Sequence, residues 1–235
     1  MDITHVPLRH EYKYHINRGE LQYLRGVIRQ VLSPDPNGDE YNQYHIRSLY
    51  FDTINNDALT DKVAGFDRRQ KYRIRIYKLS DNNIRLECKS KYNDLISKQS
   101  IKIPRDLAEQ LIAGDPSGLQ FMRHPLLHDM YREMRLNALR PVVIVDYVRE
   151  AYTHEAEDVR VTFDMQLRTG LKSVDLFNPY IPTFPPFFDN PWEILEVKYN
   201  HFLPSYLQSL LSGVTSLRSA ISKYVWCRRF ENLEY

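Results

Sequence analysis

Hydrophobic and polar residues alternate along several short segments of the chain, which is the pattern of half-buried β-strands. These segments are residues 8–16, 44–51, 70–79, 83–91, 98–103, 141–149, 158–164 and 193–199. Between the third and fourth segments, the turn-forming residues 80–83 predict a hairpin turn. The pattern therefore predicts a protein rich in short strands.

Helix signals lie between and after these strands. Asn17 is a candidate N-cap, Glu20 follows three residues later, and apolar residues at helical spacing continue to Val31. Further helices are predicted over residues 104–112 and 125–139, and the tail 205–231 predicts two helices broken near Gly213. The strands come in adjacent groups, so we expect an α+β fold, a largely antiparallel sheet or barrel with helices attached, in one domain over residues 1–235.

Composition limits the class of protein. The chain has 235 residues, of which 43% are hydrophobic and 26% charged, and a formal net charge of only +2. The net charge alone therefore gives no reason to expect a polyanionic partner. The sequence has no apolar run long enough for a membrane span and no secretory signal. Cys88 and Cys227 lack metal-type spacing, so we expect a cytoplasmic protein with reduced thiols, with a single disulfide as the alternative.

The polar faces of the predicted strands share a cationic character. Successive side chains on a strand point to opposite faces, so residues 71–77 place Lys71, Arg73, Arg75 and Tyr77 together. The polar faces of the other strands carry Arg9, Glu11, Lys13, Arg85, Glu87, Lys89, Lys91, Lys98, Lys102, Arg160, Asp164, Glu196 and Lys198.

For any one strand, a face exposed to water is the simpler interpretation. Across six strands it weakens, because cations on neighbouring strands repel unless an anion offsets them. Phosphate groups would do so, and arginine binds phosphate oxygens in a forked geometry. If the sheet closes into a barrel, the charged faces would line a basic tunnel. Nucleic acid is a poorer fit, since few aromatic residues for base stacking interleave with these cations.

The glutamates on these faces allow two interpretations. A divalent cation could bridge a carboxylate and phosphate oxygens, as Mg²⁺ commonly does. Alternatively, each glutamate forms an ion pair with a neighbouring lysine or arginine. Glu196 is the best metal candidate, because it stands beside Lys198 in an otherwise apolar strand. The sequence has no phosphate-binding glycine loop and no nucleophile elbow.

Several short motifs occur in a distinctive order. They are Arg9-x-Glu11-x-Lys13, residues 48–53 (SLYFDT), Lys71-x-Arg73-x-Arg75, Leu86-Glu87-x-Lys89, Lys98, Arg149, Val159-Arg160, Leu195-Glu196-x-Lys198 and Ser222-Lys223-Tyr224. Over about residues 8–230, this set resembles the triphosphate tunnel metalloenzymes. More narrowly, it resembles the VTC domain, the catalytic domain of the vacuolar transporter chaperone polyphosphate polymerase.

The resemblance implies an antiparallel β-tunnel with helices packed outside, a C-terminal helix near one tunnel end, and a divalent metal, Mn²⁺ or Mg²⁺. Together with the strand faces, it implies a set of site residues. The expected catalytic residues are Lys13, Arg73, Arg75, Lys89 and Lys198. The expected phosphate ligands are Arg9, Lys71, Lys91, Lys98, Arg149, Arg160, Ser222 and Lys223. The expected metal ligands are Glu196, Glu11 and Glu87.

One departure from the wider superfamily narrows the expected activity. Its hydrolytic members carry Glu-x-Glu-x-Lys in the first strand, whereas Arg9 stands here in place of the first glutamate. This favours the polymerase branch, an enzyme that transfers the γ-phosphoryl group of ATP to polyphosphate. The alternatives are a triphosphatase acting on inorganic triphosphate or nucleoside triphosphates, and a non-catalytic polyphosphate-binding domain. The expected partners are ATP and polyphosphate or triphosphate; the sequence does not identify partner proteins.

Overall fold

The structure, a computed structural model, describes residues 9–93, 95–187, 192–212 and 218–229, and it has the α+β fold that was predicted. Within these residues, the strands are β1 His10–Ile16, β2 Ser33–Pro34, β3 Gln43–Asp52, β4 Arg68–Tyr77, β5 Ser80–Tyr92, β6 Leu95–Lys102, β7 Arg140–His154, β8 Val159–Thr169 and β9 Glu193–Tyr199. The helices are α1 Arg18–Val31, α2 Asp57–Ala64, α3 Arg105–Ile112, α4 Pro125–Leu136, α5 Ser205–Leu211 and α6 Lys223–Cys227.

The strands form one antiparallel sheet whose two edges come together. Its order is β1-β9-β8-β7-β3-β4-β5-β6, and β2 pairs with β7. The edge strands β1 and β6 meet at an isolated bridge, where Arg9 and Ile96 exchange backbone hydrogen bonds of 3.1 and 3.2 Å. The predicted barrel is therefore a curled sheet that is not closed by a continuous ladder.

Most helices cover the outer face of the sheet. Apolar residues such as Ile74 of β4 and Leu86 of β5 form one buried cluster with Leu107 of α3 and Leu126 of α4. A second cluster packs α1 and α5 against the outer face of β8 and β9. Because these apolar side chains are buried on the outer face, the alternate, charged side chains of each strand lie on the inner face.

Helix α6 covers the inner face instead, at one end of the sheet. Its residues Tyr224 and Cys227 pack in one cluster with Val143, Val145 and Tyr147 of β7. These β7 residues have the same parity as Arg149, which lines the interior. The C-terminal helix thus lies near one tunnel end, as expected, but inside the curled sheet.

Local structure departs from the sequence prediction at two turns. The hairpin turn is formed by Lys78 and Leu79, with φ of 53° and 54°, and β5 begins at Ser80. Two positive φ values are typical of the tight hairpin loop that matches strand twist, here without its usual Asn-Gly sequence. Helix α4 ends at Leu136, because Ala138 has a φ of 48°. The predicted break at Gly213 lies outside the described residues.

Two further expectations concern the thiols and the membrane. Cys88 and Cys227 are both buried and free, so the single disulfide left open by the sequence is not formed. Among the described residues, no helix combines the length and the hydropathy that crossing a bilayer would require.

Candidate functional site: a cationic cavity inside the sheet

The inner face of the curled sheet surrounds a cavity of about 1290 Å³, which we call the central cavity. Of the described residues that line it, seventeen are Lys or Arg and three are Asp or Glu. Every site residue predicted from the sequence lines this cavity except Glu87. The cations of separate strands therefore converge on one enclosed space.

Strand β4 supplies the longest row of cations. Arg69, Lys71, Arg73 and Arg75 alternate with outward residues and all line the central cavity. Along a strand, every second residue is displaced by about 7 Å, so the row follows the length of the cavity. The parity that separates this row from the apolar side chains was already visible in the sequence.

Glu87 of β5 lies beside this row, as the cross-strand partner of Arg73. Its side chain is 2% exposed, and its two carboxylate oxygens accept hydrogen bonds of 2.8 Å from Arg73 Nε and Lys98 Nζ. Burial would raise its pKa, but Arg73, Arg75 and Lys98 hold that pKa well below the ordinary value. The structure thus places Glu87 as an anionic partner of Arg73, apart from the other two predicted metal ligands.

Glu11 and Glu196 lie together on the neighbouring strands β1 and β9, and we call them the acid pair. Lys13 Nζ is 3.0 Å from a Glu11 oxygen and 3.4 Å from a Glu196 oxygen. Lys89 also donates to Glu11 at 2.7 Å, and Lys198 forms an ion pair with Glu196. The structure therefore contains the ion pairs that the sequence left open as an alternative.

The cations keep the acid pair ionised. Burial and the adjacent Glu196 would raise the pKa of Glu11, but Lys13, Lys89 and Lys198 together lower it below its ordinary value. Burial likewise opposes ionisation of Glu196, yet its lysine neighbours hold its pKa well below the ordinary range. Both carboxylates are therefore anionic groups at the surface of a cationic cavity.

A further acid, Asp164 of β8, extends this arrangement. Its oxygens accept hydrogen bonds of 2.6 and 2.7 Å from Arg149, and it forms an ion pair with Lys223 of α6. Burial would raise its pKa, but Arg149 and Lys223 lower it to about 2. The sequence placed Asp164 on the polar face without giving it a function. Its partner became visible only when β7, β8 and α6 were brought together.

Lys71 and Lys89 lie where burial and neighbouring cations disfavour their charged forms. Lys71 donates a 3.0 Å hydrogen bond to Ser222 Oγ, and no carboxylate of the described residues lies within 4 Å of it. Burial, followed by Lys13 and Lys89, lowers its pKa well below the ordinary value. Burial also lowers the pKa of Lys89 to about 7, against the opposing effect of Glu11. A bound polyanion would stabilise the charged form of both lysines.

The remaining predicted cations lie deeper or at the rim. Arg75 donates 3.0 Å hydrogen bonds to Ser48 Oγ and Tyr147 OH. Arg9 is held by Asp158 and Arg160 by Asp35. Lys91 lines the cavity near the start of β4.

Several lining residues were missed by the sequence prediction. Tyr147 could have been found, because it shares the parity of Arg149 on a predicted strand. Lys62 belongs to α2, whose N-cap residue Asn56 makes no side-chain capping hydrogen bond and whose sequence has no clear helix signal, so nothing in the sequence indicated it. Burial, followed by Arg69, lowers the pKa of Lys62 to about 8.

The acid pair could hold part of the ligand shell of a divalent metal ion. Among the described residues, no group of three or more His, Cys, Asp or Glu is arranged to hold a metal, so phosphate oxygens would have to complete the ligand set. Mg²⁺ commonly binds in this way, by one or two carboxylates and substrate phosphates. Thr162, the cross-strand partner of Glu196, also has a buried hydroxyl without a hydrogen-bond partner among the described residues. The donor set fits such an ion.

The curled antiparallel sheet with its cationic interior is the fold of the triphosphate tunnel proteins. The chain belongs to the VTC domain family, since the model of the VTC domain matches residues 8–230. The resemblance read from the sequence motifs is thereby confirmed. No curated protein matches the sequence.

Solved structures share the fold at low sequence identity. A candidate adenylyl cyclase from Hippeastrum with a dominant triphosphatase activity is 14% identical, with a TM-score of 0.58, and the match covers 94% of this chain and 95% of that chain. A candidate adenylate cyclase from Bacillus halodurans is 12% identical, with a TM-score of 0.51 and coverage of 91% and 94%. A chain of the Schizosaccharomyces pombe Mediator head module is 9% identical, with a TM-score of 0.50 and coverage of 90% and 100%. These likenesses concern the fold alone.

Proposed function

We propose that the protein is an ATP-dependent polyphosphate polymerase. The observation that supports this most strongly is the central cavity, where seventeen lining cations face three acids among the described residues. A cavity of this charge and length suits a linear polyanion better than a small neutral substrate. Membership of the VTC domain family and Arg9 in place of the first glutamate of the hydrolytic motif also favour this activity.

The reaction transfers the γ-phosphoryl group of ATP. A terminal phosphate oxygen of the polyphosphate chain attacks the γ-phosphorus, the bond from that phosphorus to the β-bridging oxygen breaks, and ADP leaves. No protein nucleophile is needed, so the chain's residues act by positioning and by neutralising charge. Arg73 and Arg75 are fixed by Glu87 and Tyr147 respectively, which holds their guanidinium groups ready for phosphate oxygens.

A divalent cation, Mn²⁺ or Mg²⁺, completes the proposed site. Glu196 would hold it, with Glu11 beside it, and the ion would supply charge neutralisation for phosphate oxygens. Lys13 and Lys198, which contact these carboxylates in the present structure, would then turn toward phosphate. Both lysines line the central cavity, so this change requires only side-chain rotation.

The test is incubation with ATP and Mn²⁺, followed by polyphosphate staining on a gel. Arg75→Ala and Lys198→Ala should each lower synthesis about 100-fold or more, the usual cost of losing a transition-state donor. Arg132→Ala, on the exposed face of α4, is the matched control and should leave synthesis unchanged. Circular dichroism melts establish that each variant is folded. Unaltered synthesis in both cavity variants would refute the assignment of the site.

Triphosphate hydrolysis is the second candidate, favoured by the dominant triphosphatase activity of the Hippeastrum protein. The same assay separates the two, because a hydrolase would release inorganic phosphate from ATP or triphosphate without forming stained polymer. Polyphosphate binding without any turnover of nucleotide would instead identify a non-catalytic binding domain.

A further inference from the structure

A second cavity lies on the outer face of the sheet, beside one mouth of the central cavity. This side pocket has a volume of about 380 Å³ and lies between α2, the end of α4 and the paired ends of β4 and β5. Its walls include Phe51, Tyr72, Tyr92, Asp61, Glu133 and Asn137.

The two cavities are adjacent to each other. Arg69, near the start of β4, lines both of them. On the central side, Lys62 and Lys91 lie at the same end of the sheet, and Lys71 follows two residues further along β4. A ligand in the side pocket would therefore lie next to the end of the cationic row.

The side pocket differs in chemistry from the central cavity. Its four acids, Asp52, Asp57, Asp61 and Glu133, outnumber its two arginines, so a phosphate group is disfavoured inside it. The carboxylate of Asp61 lines the pocket and forms no ion pair within 4 Å with a Lys, Arg or His of the described residues, so it is available as an acceptor. Carboxylate and amide groups suit the hydroxyl and amino groups of a neutral polar ligand.

The aromatic walls supply a surface for a planar ring. Tyr92, the last residue of β5, lines the pocket and is 46% exposed, whereas Tyr72 and Phe51 are buried in the floor. Stacking on such a ring is possible for any base, and it is a common means of holding a nucleobase. A neutral ring bearing hydroxyl and amino groups, joined to a polyanionic tail, describes a nucleoside triphosphate.

We propose that the side pocket holds the nucleoside of a nucleoside triphosphate while its phosphates pass Arg69 into the central cavity. This inference rests on the proposed function, in which ATP is the phosphoryl donor. It assigns the donor nucleotide to the mouth at the start of β4, and it assigns Tyr92 as the stacking residue.

The test compares two ligands that share a triphosphate. Binding of ATP and of inorganic triphosphate is measured by calorimetry in the presence of a chelator, so that no turnover occurs. Tyr92→Ala should weaken ATP binding about tenfold, the size expected for the loss of one stacking contact. Binding of inorganic triphosphate should be unchanged, and Tyr92→Phe, which keeps the ring, should bind ATP as the unaltered protein does.

The control is Tyr180→Ala, a tyrosine that is 90% exposed and lines neither cavity. It should leave both affinities unchanged. Equal effects of Tyr92→Ala on the two ligands, or no effect on ATP, would overturn the nucleoside site while the central cavity kept its proposed ligand. Failure of the unaltered protein to bind either ligand, both with the chelator and with Mn²⁺ added, would instead reject the proposed function, and the side-pocket assignment with it.

Discussion

Two glutamates on the inner face of the sheet have different surroundings and therefore different expected functions. Glu196 faces the central cavity beside Glu11, whereas Glu87 lies on the same inner face but is buried among the cations that it contacts, Arg73 and Lys98. The same type of side chain is thus a candidate metal ligand at position 196 and a counter-ion that orients an arginine at position 87.

Metal dependence should separate these two functions. Glu196→Gln should raise the half-saturating Mn²⁺ concentration for ATP turnover by about tenfold or more, since a ligand to the ion is weakened. Glu87→Gln should lower turnover without shifting that concentration, because Glu87 acts through Arg73. A metal titration of both variants checks this, and equal shifts in the two would contradict it.

Lys89 should make polyphosphate binding sensitive to pH. Burial lowers its pKa to about 7, from an ordinary value of 10.5. Protonated Lys89 is the form that attracts phosphate, so affinity should fall as the pH rises through about 7. Lys89→Arg stays charged over that range and should flatten the profile. Affinities measured at about pH 6 and about pH 8.5 in both proteins test this, and parallel profiles would count against it.

At the level of elements, local signals predicted some segments well. Helix α1 has the capping box expected from Asn17 and Glu20, with both hydrogen bonds at 2.9 Å. Asn17→Ala should therefore lower the free energy of unfolding by about 1 kcal/mol. Denaturant melts measure this change. Polyphosphate binding should be unaffected, because α1 lies outside the central cavity, and a loss of binding would show that the helix also supports the site.

Other elements depend on tertiary contacts that the sequence does not display. Strand parity predicted which side chains face inward, because alternation is a local property. It did not predict that Asp164 meets Arg149 and Lys223, since this needs the order of β7 and β8 and the position of α6. Helix α2 was missed because Asn56 caps it from a left-handed conformation without a side-chain hydrogen bond.

At the level of the whole molecule, charge is unevenly distributed. The formal net charge is +2, yet the described lining of the central cavity is strongly cationic, so the rest of the chain carries the compensating acids. The positive electrostatic potential of the cavity favours entry of a polyanion there over its adsorption to the rest of the protein.

Polyphosphate should therefore stabilise the folded protein in a salt-dependent manner. At about 100 times its dissociation constant, a ligand of the native state adds about 2.7 kcal/mol to the free energy of unfolding. We expect long-chain polyphosphate to raise the melting temperature, and added salt to diminish that rise through screening. Differential scanning fluorimetry at two salt concentrations measures both. A salt-independent rise would argue against charge as the basis of binding.

The pairing of β1 with β9 has a consequence for how the molecule acquires its site. Lys13 and Glu196 are cross-strand partners although most of the chain separates them. Contacts so distant in sequence must await the closure of a very long loop, which slows folding. During synthesis, the nascent chain exposes an incomplete sheet edge until its final strand emerges. The acid pair therefore cannot form before β9 has been synthesised, and a translation product ending before β9 would lack Glu196.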